Sequence, residues 1–457
     1  WKGLLDFTTC TECGRCQSQC PAWNTDKPLS PKMLVMNLRD AAYAQAPWQS
    51  ATLTASDPDS QVAAGSPEDF DIRQLVGATE GDPTIPSGGA VIDPDVLWSC
   101  TSCGACVEQC PVDIEHVDHI VDMRRYQVLV ESDFPTELGG LFKNLETKGN
   151  PWGQNNNKRS DWIQKAKEDG IEVPVFGEDI ENFDDTEYLF WVGCAGVYDD
   201  NAVKTTRAVA DLLYTAGVKF AVLGEGEGCT GDSARRAGNE FLFQMLAEQN
   251  IEMLDNAFDG VPPKQRKIVV TCAHCFNTLR NEYPDLGGNY QVVHHTQLLN
   301  RLVREKKLQP VAASEVATPS PLASTAPSVT YHDPCYLGRY NGEYEAPRAV
   351  LKAIGIEVKE MERSGFRSRC CGGGGGAPIT DIPGKQRIPD MRMVDIQSTG
   401  AEVVAVGCPQ CTAMLEGVVA PRPEIKDIAE LVAEVLIEAT EVAAKRPNAK
   451  REVAEVQ

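Results

Sequence analysis

Seventeen cysteines dominate the chemistry open to this 457-residue chain. Eight of them form two copies of one run, "CTECGRCQSQCP" with Cys10, Cys13, Cys16 and Cys20, and "CTSCGACVEQCP" with Cys100, Cys103, Cys106 and Cys110. The spacing C-x2-C-x2-C-x3-C-P is the run that holds paired cubane clusters. Three cysteines at short intervals wrap a turn of backbone around one cubane. The fourth, ahead of Pro21 or Pro111, points to the other. Cys10, Cys13, Cys16 and Cys110 are therefore assigned to one [4Fe–4S] cluster, and Cys100, Cys103, Cys106 and Cys20 to a second. Two structural zinc sites are the competing chemistry, but zinc ligands usually come as separated C-x2-C pairs.

The other nine cysteines repeat at longer range. Cys194 and Cys229 are separated by 34 residues, and so are Cys335 and Cys370. "TCAHC" (Cys272, Cys275) then aligns with "GCPQC" (Cys408, Cys411). The second copy adds Cys371 beside Cys370, and its pattern resembles the cysteine-rich "CCG" domain of heterodisulfide reductase catalytic subunits and their relatives. That resemblance implies a noncubane [4Fe–4S] cluster on Cys335, Cys370, Cys371, Cys408 and Cys411, a possible redox centre. Five thiolates also exceed the four that a cubane or a zinc ion can use. The run Gly372 to Gly376 would let backbone approach such a cluster closely. The first copy departs from the pattern, because Thr230 stands where the second cysteine of the pair belongs. Its four cysteines, Cys194, Cys229, Cys272 and Cys275, suit a cubane or a tetrahedral zinc.

The remaining candidates are weaker. His332, three residues before Cys335, could carry a proton or hydrogen-bond a cluster sulfur, or serve only as a structural histidine. His274 lies between two ligand candidates, and His294 and His295 end a short strand as structural residues. No G-x-G-x-x-G follows a strand in the right place, so no flavin or nicotinamide site is expected in this chain. The 43 basic and 66 acidic residues give a net charge of −23, which disfavours a grip on nucleic acid or anionic lipid. An odd cysteine count excludes a complete intramolecular disulfide framework. No apolar run reaches the roughly 18 residues that would span a bilayer. The chain opens on Trp1 rather than Met, as a processed protein or one part of a longer protein would.

These residues need elements to position them. After the first run, "LSPKMLVMNLRDAAYA" reads as a helix with Pro31 at its first position, and roughly 50–93 reads as loop. "IEHVDHIVDMRRYQVLVES" reads as a helix, and 135–182 as irregular and polar. From Glu187 strands and helices alternate: "YLFWVGC", a helix to Gly217, "VKFAVLG", one long helix over 231–257, then "KIVVTC". The same order returns after a Pro/Ala/Ser linker: "SVTYHDPC", a helix, "IEVKEM", "AEVVAVGC" and a final acidic helix from about Glu424. Such alternation implies parallel sheets. The expected architecture is α plus α/β: a helical two-cluster ferredoxin domain (1–135), an irregular connector (136–186), a first CCG domain (187–309), the linker (310–328) and a second CCG domain (329–457).

The 79 residues between Cys20 and Cys100 exceed a compact ferredoxin and resemble the helical ferredoxin domain of respiratory iron–sulfur subunits. Helical ferredoxin followed by tandem CCG domains is similar to heterodisulfide reductases and to iron–sulfur subunits of glycolate, lactate and glycerol-3-phosphate oxidising enzymes. It is most similar to the membrane-bound electron-transfer-flavoprotein dehydrogenases of actinobacteria, through the long insert and "GCTGDSARRAGNE". That resemblance implies electron-transfer flavoprotein as donor and menaquinone as acceptor, reached through a membrane haem domain outside this chain. It implies a place on the cytoplasmic side of the membrane. Disulfide reduction at the noncubane cluster, or electron relay for a flavin-dependent hydroxyacid dehydrogenase, are the alternatives.

Overall fold

The computed structural model describes residues 2–55, 73–79, 89–309, 327–380 and 382–444. Most of the expected loop before Asp93, nearly all of the Pro/Ala/Ser linker and the last thirteen residues lie outside this set. The chain divides into two compact units. One holds residues 1–139 together with 233–240 and 372–391, and the other holds 140–232, 241–371 and 392–457.

The first unit is helical. Its N-terminal stretch forms helices Lys2–Thr9, Arg15–Gln19, Pro31–Ala55, Pro94–Trp98, Ala105–Glu108 and His116–Tyr126, the last continued by a π-helical turn, Gln127–Glu131. Pro31 and Pro94 stand at first helical positions, where a missing N–H costs nothing. Asp93 caps the second of these by accepting from the Asp95 amide at 2.8 Å. One apolar cluster gathers Leu29, Leu34, Leu38, Val76, Ile92, Leu97, Ile120 and Met123 around Cys20 and Cys100, and a smaller one sets Val117 and Val121 against Cys16 and Cys106.

Among the described residues, the second unit carries seven short strands in two parallel sheets. Strands β1 (Tyr188–Trp191), β2 (Phe220–Ala221), β3 (Lys267–Val270) and β4 (Gln291–His294) are ordered β2-β1-β3-β4. Strands β5 (Val329–Tyr331), β6 (Val403–Val406) and β7 (Glu424–Asp427) are ordered β5-β6-β7. Central strands β1 and β6 are buried at every position, as parallel strands covered on both faces must be. Tyr188 and Phe190 of β1 share one apolar core with Tyr331 of β5 and Val403 of β6, closed by Val209, Leu213, Leu299, Leu351 and Val432 from the helices. The two copies of the repeat thus fold around common apolar contacts.

Four local expectations change. The stretch 136–186 is not irregular: it contains helices Thr136–Lys148 and Asp161–Glu168. The helix expected over 231–257 breaks into Asp232–Arg236 and Glu240–Ala257, because Gly238 takes a φ of 87° that no helix can hold. "IEVKEM" contributes only an isolated bridge from Val358 to Val329. The final helix starts later, at Ile428, since Glu424–Asp427 pairs along β6 instead and Asp427 accepts from the Ala429 amide at 2.8 Å. Among the described residues no helix is long and apolar enough to cross a membrane.

Candidate iron–sulfur sites

In the first unit the two runs build matching loops. The residue before the second cysteine takes a left-handed conformation in both (Glu12, φ 56°; Ser102, φ 48°). The glycine after it does the same (Gly14, 75°; Gly104, 71°). Two left-handed turns in succession curl the backbone so that its cysteines face inward. The short helices Arg15–Gln19 and Ala105–Glu108 then carry Cys16 and Cys106. One cavity is lined by Cys10, Cys13, Cys16 and Cys110, and a second by Cys20, Cys100, Cys103 and Cys106. The structure therefore brings the fourth cysteine of each run to the first three of the other.

The donor chemistry of both cavities fits a cationic metal centre. Burial pushes the Cys16 thiol up to about 11, and repulsion from Cys10, Cys110 and Cys13 adds to it. Burial likewise drives Cys20 and Cys106 far above the ordinary thiol range, with neighbouring cysteines adding to the shift. Four thiolates this close would repel one another, and bound iron would supply the charge that makes them tolerable. Backbone amides already point at sulfur, Ser102 N at Cys100 Sγ (3.3 Å) and Ile114 N at Cys110 Sγ (3.4 Å).

A buried arginine fastens this unit. Arg124, fully buried, donates to the carbonyls of Leu97, Cys100 (2.8 Å), Arg236 (2.8 Å) and Gly375 (3.0 Å). It thereby joins the second cysteine loop to both short segments, 233–240 and 372–391. Those segments occupy similar places in the repeat, one just after the "GCTGD" turn and the other starting within "RCCGG" at Gly372. Their glycines permit the contact. A Cβ on Gly375 would lie 2.3 Å from the Cys100 carbonyl oxygen, one on Gly374 2.3 Å from that of Thr101, and one on Gly238 2.5 Å from the Arg124 backbone.

In the second unit Cys194, Cys272, Cys335 and Cys408 follow β1, β3, β5 and β6, at the carboxyl ends where parallel sheets place their sites. In the first copy the Cys194 and Cys229 thiols are neighbours, and the Gly231 amide reaches Cys229 Sγ at 3.5 Å. Thr230 donates toward Cys275 Sγ at 3.9 Å, so the residue replacing a cysteine still faces the site. In the second copy Cys371 and Cys411 sulfurs are 3.4 Å apart, and all five cysteines are buried. Cys408 neighbours Cys411 on one side and Cys272 of the first copy on the other. Cys272 in turn neighbours Cys275. A contiguous series of thiols, Cys371, Cys411, Cys408, Cys272 and Cys275, therefore links the two copies. Sequence spacing shows the two groups separately and gives no hint that they adjoin.

Several polar residues around these thiols carry no signal in the sequence. Arg159 and Glu227 form a buried ion pair at 2.8 Å, each side chain 1% exposed. Arg159 also points at Cys194 Sγ (3.6 Å), while Glu227 accepts from the amides of Val192 (2.9 Å) and Gly193 (2.7 Å). Arg392, fully buried, donates to His332 Nδ1 at 3.1 Å. Burial and then the Arg392 charge press His332 down to about 3. The other histidines of the second unit have protein partners. His294 bonds Thr296 Oγ1 and the Thr271 carbonyl, His295 bonds Asp427, and His274 bonds Asp232 while stacking on Tyr336.

Comparison with known proteins agrees with this geometry. Residues 9–114 match the family described as a 4Fe-4S dicluster domain, and 188–280 and 329–416 match the family described as a cysteine-rich domain, CCG. The chain is 46% identical to a "Probable membrane-anchored ferredoxin" of Chromohalobacter salexigens, over 95% of this chain and 61% of that protein. It is 40% identical to an "EtfAB:quinone oxidoreductase" of Syntrophomonas wolfei, over 96% of this chain and 59% of that protein. The chain thus spans about three-fifths of the length of these relatives. With a dihydromethanophenazine:CoB–CoM heterodisulfide reductase polypeptide of Methanosarcina mazei the identity is 28%, over 95% of both chains. The chain therefore carries a 4Fe-4S dicluster domain and two cysteine-rich CCG domains, and it is similar to iron–sulfur oxidoreductases and to a heterodisulfide reductase polypeptide.

Proposed function

We propose that this chain is the cluster-bearing part of a membrane-anchored oxidoreductase. It takes electrons from reduced electron-transfer flavoprotein, generated by fatty-acid β-oxidation, and passes them toward menaquinone through a membrane haem domain outside the described chain. Its place is the cytoplasmic face of the membrane. The likeness to an EtfAB:quinone oxidoreductase supports this donor and a quinone acceptor. The observation that carries the redox reading is the gathering of the cysteines into thiol groups, two of which adjoin through Cys408 and Cys272. In this reading Cys10, Cys13, Cys16 and Cys110 hold one cubane, and Cys20, Cys100, Cys103 and Cys106 another. Cys335, Cys370, Cys371, Cys408 and Cys411 hold a noncubane [4Fe–4S] cluster, and Cys194, Cys229, Cys272 and Cys275 a cubane or a zinc ion. Such clusters supply one-electron carriers whose potentials the protein sets through burial and hydrogen bonds to sulfur. The chain's own residues position the thiols, exclude water and direct N–H groups at sulfur.

The test is anaerobic mixing of the chain with electron-transfer flavoprotein, acyl-CoA dehydrogenase and acyl-CoA. Bleaching of the iron–sulfur absorbance at a rate that depends on flavoprotein concentration is expected. Intact clusters that dithionite reduces but the flavoprotein does not would defeat the donor assignment. A zinc-only, colourless protein would end every electron-transfer reading. The second reading, disulfide reduction at the noncubane cluster, is favoured by the full-length likeness to the Methanosarcina heterodisulfide reductase polypeptide. Thr230, which leaves the first copy with four thiols, weighs against a two-cluster disulfide site. Turnover of a thiol-coenzyme disulfide with dithionite-reduced chain would separate the two.

A further inference from the structure

His332, Cys371 and Cys411 are all buried, and one ring nitrogen of the histidine lies with the two sulfurs inside 4.8 Å. At face value this is a mixed imidazole–thiolate metal site. The partner on the other side of the ring decides otherwise. Arg392 presents its Nε–H to His332 Nδ1 at 3.1 Å. A guanidinium keeps its protons in proteins and has no acceptor, so Nδ1 must offer its lone pair. A neutral imidazole with that lone pair engaged carries its proton on Nε2. An imidazolium would set two donors face to face. Neither nitrogen is then left with a lone pair for iron, and Nε2–H is the group that remains to meet sulfur.

The arginine is itself held in place. Its side chain is fully buried, and it donates to the Arg363 carbonyl (2.9 Å), Asp395 Oδ2 (3.3 Å) and Ser368 Oγ (3.3 Å). The His332 backbone is pinned to β6 by its amide bond to the Ala405 carbonyl (3.0 Å). Ring position and tautomer are thus both fixed before any cluster binds. The geometry points to Arg392 as a positioning residue that locks His332 as an Nε2–H donor to sulfur at Cys371 and Cys411, and so excludes it as an iron ligand. This inference rests on the noncubane cluster assigned above to those cysteines. Hydrogen bonds to sulfur stabilise the more negative, reduced state, so the lock holds that cluster's potential up.

The experiment uses the full chain with its clusters, prepared anaerobically with 15N-histidine and titrated potentiometrically under electron paramagnetic resonance. The parent should show weak 15N coupling to the noncubane signal, of the size of an N–H···S contact. His332→Leu should abolish the coupling and move that one potential negative, leaving the two ferredoxin potentials unchanged. His332→Gln, which keeps an N–H, should lie closer to the parent. Arg392→Met should change the histidine coupling although His332 is still present, and Arg392→Lys should do so less. Strong coupling typical of iron-bound imidazole in the parent would overturn the inference. So would a His332→Leu cluster with unshifted potential. If the five cysteines hold no noncubane cluster, the underlying cluster assignment falls and this inference with it. An intact noncubane signal that ignores His332 sinks the inference alone.

Discussion

At the residue scale, the cysteines are legible in the sequence and the charges that attend them are not. A thiolate ligand advertises itself by spacing, because a cluster edge fixes how far apart its ligands can be in a turn. Arg159 has no such periodicity. It lies in a polar stretch that sequence alone describes as connector, and Glu227 hides in "GEGEGC" as an approach to Cys229. Only burial shows that the two form one ion pair against Cys194. Removing one member of such a pair leaves an uncompensated charge, which typically costs about 3–5 kcal/mol. Glu227→Ala is accordingly expected to lower the unfolding free energy from urea titration by that order. Arg159→Met paired with Glu227→Leu should recover much of the loss. A Glu227→Ala protein with parental stability would show that the pair is dispensable.

At the element scale, the parallel sheets follow from alternating strand and helix patterns, while the ends of elements do not. The start of the last helix misleads because Glu424–Asp427 carries charges that look helical, yet its alternating exposed and buried residues continue the sheet. A glycine run gives the opposite difficulty: it reads as freedom, and the fold uses it for close approach. Gly375 takes a φ of 64° and has the Cys100 carbonyl where a Cβ would be. Gly375→Ala should therefore lower both stability and the iron retained per chain, measured by denaturation and metal analysis. Gly140→Ala, with open space at its Cβ inside helix Thr136–Lys148, should be neutral or stabilising by about 0.5–1 kcal/mol. Helix packing in the second unit offers a pH probe. Glu430 at the start of helix Ile428–Ala444 is pushed up to about 7 by burial, although Thr205 donates to it at 2.7 Å. Its raised value favours the folded state at low pH, and that advantage is lost as pH rises from about 4.5 to about 7. Glu430→Gln should remove this loss. The variant should gain on the parent by about 3 kcal/mol in denaturant titrations at pH 8 compared with pH 4.5.

At the scale of the whole molecule, the two units differ in what holds them. Among the described residues, the large apolar core of the second unit contains no cysteine, whereas the apolar clusters around Leu34 and Val117 in the first unit include Cys20, Cys100, Cys16 and Cys106 among their own members. Metal bound to those cysteines would therefore contribute to the core of the first unit. Stripping iron with chelator and oxidant should open residues 1–139 to protease well before the sheets of the second unit yield. Equal sensitivity of the two would contradict this. The sequence could not show the imbalance, because it depends on which apolar side chains meet across elements far apart in the chain.

The Arg124 junction carries a consequence for biosynthesis. The first unit begins at the N-terminus, yet two of the carbonyls that its central arginine holds belong to Arg236 and Gly375. Its own segments run to residue 391, some 250 positions beyond the end of its first stretch at 139. At roughly 5–20 residues per second, a ribosome needs about 13–50 s to supply them. During that interval eight cysteines of the dicluster segment wait in an incomplete scaffold. The part of the protein that is made first therefore cannot close until residue 391 has been made, and iron delivery to it would have to keep time with translation of the final third of the chain.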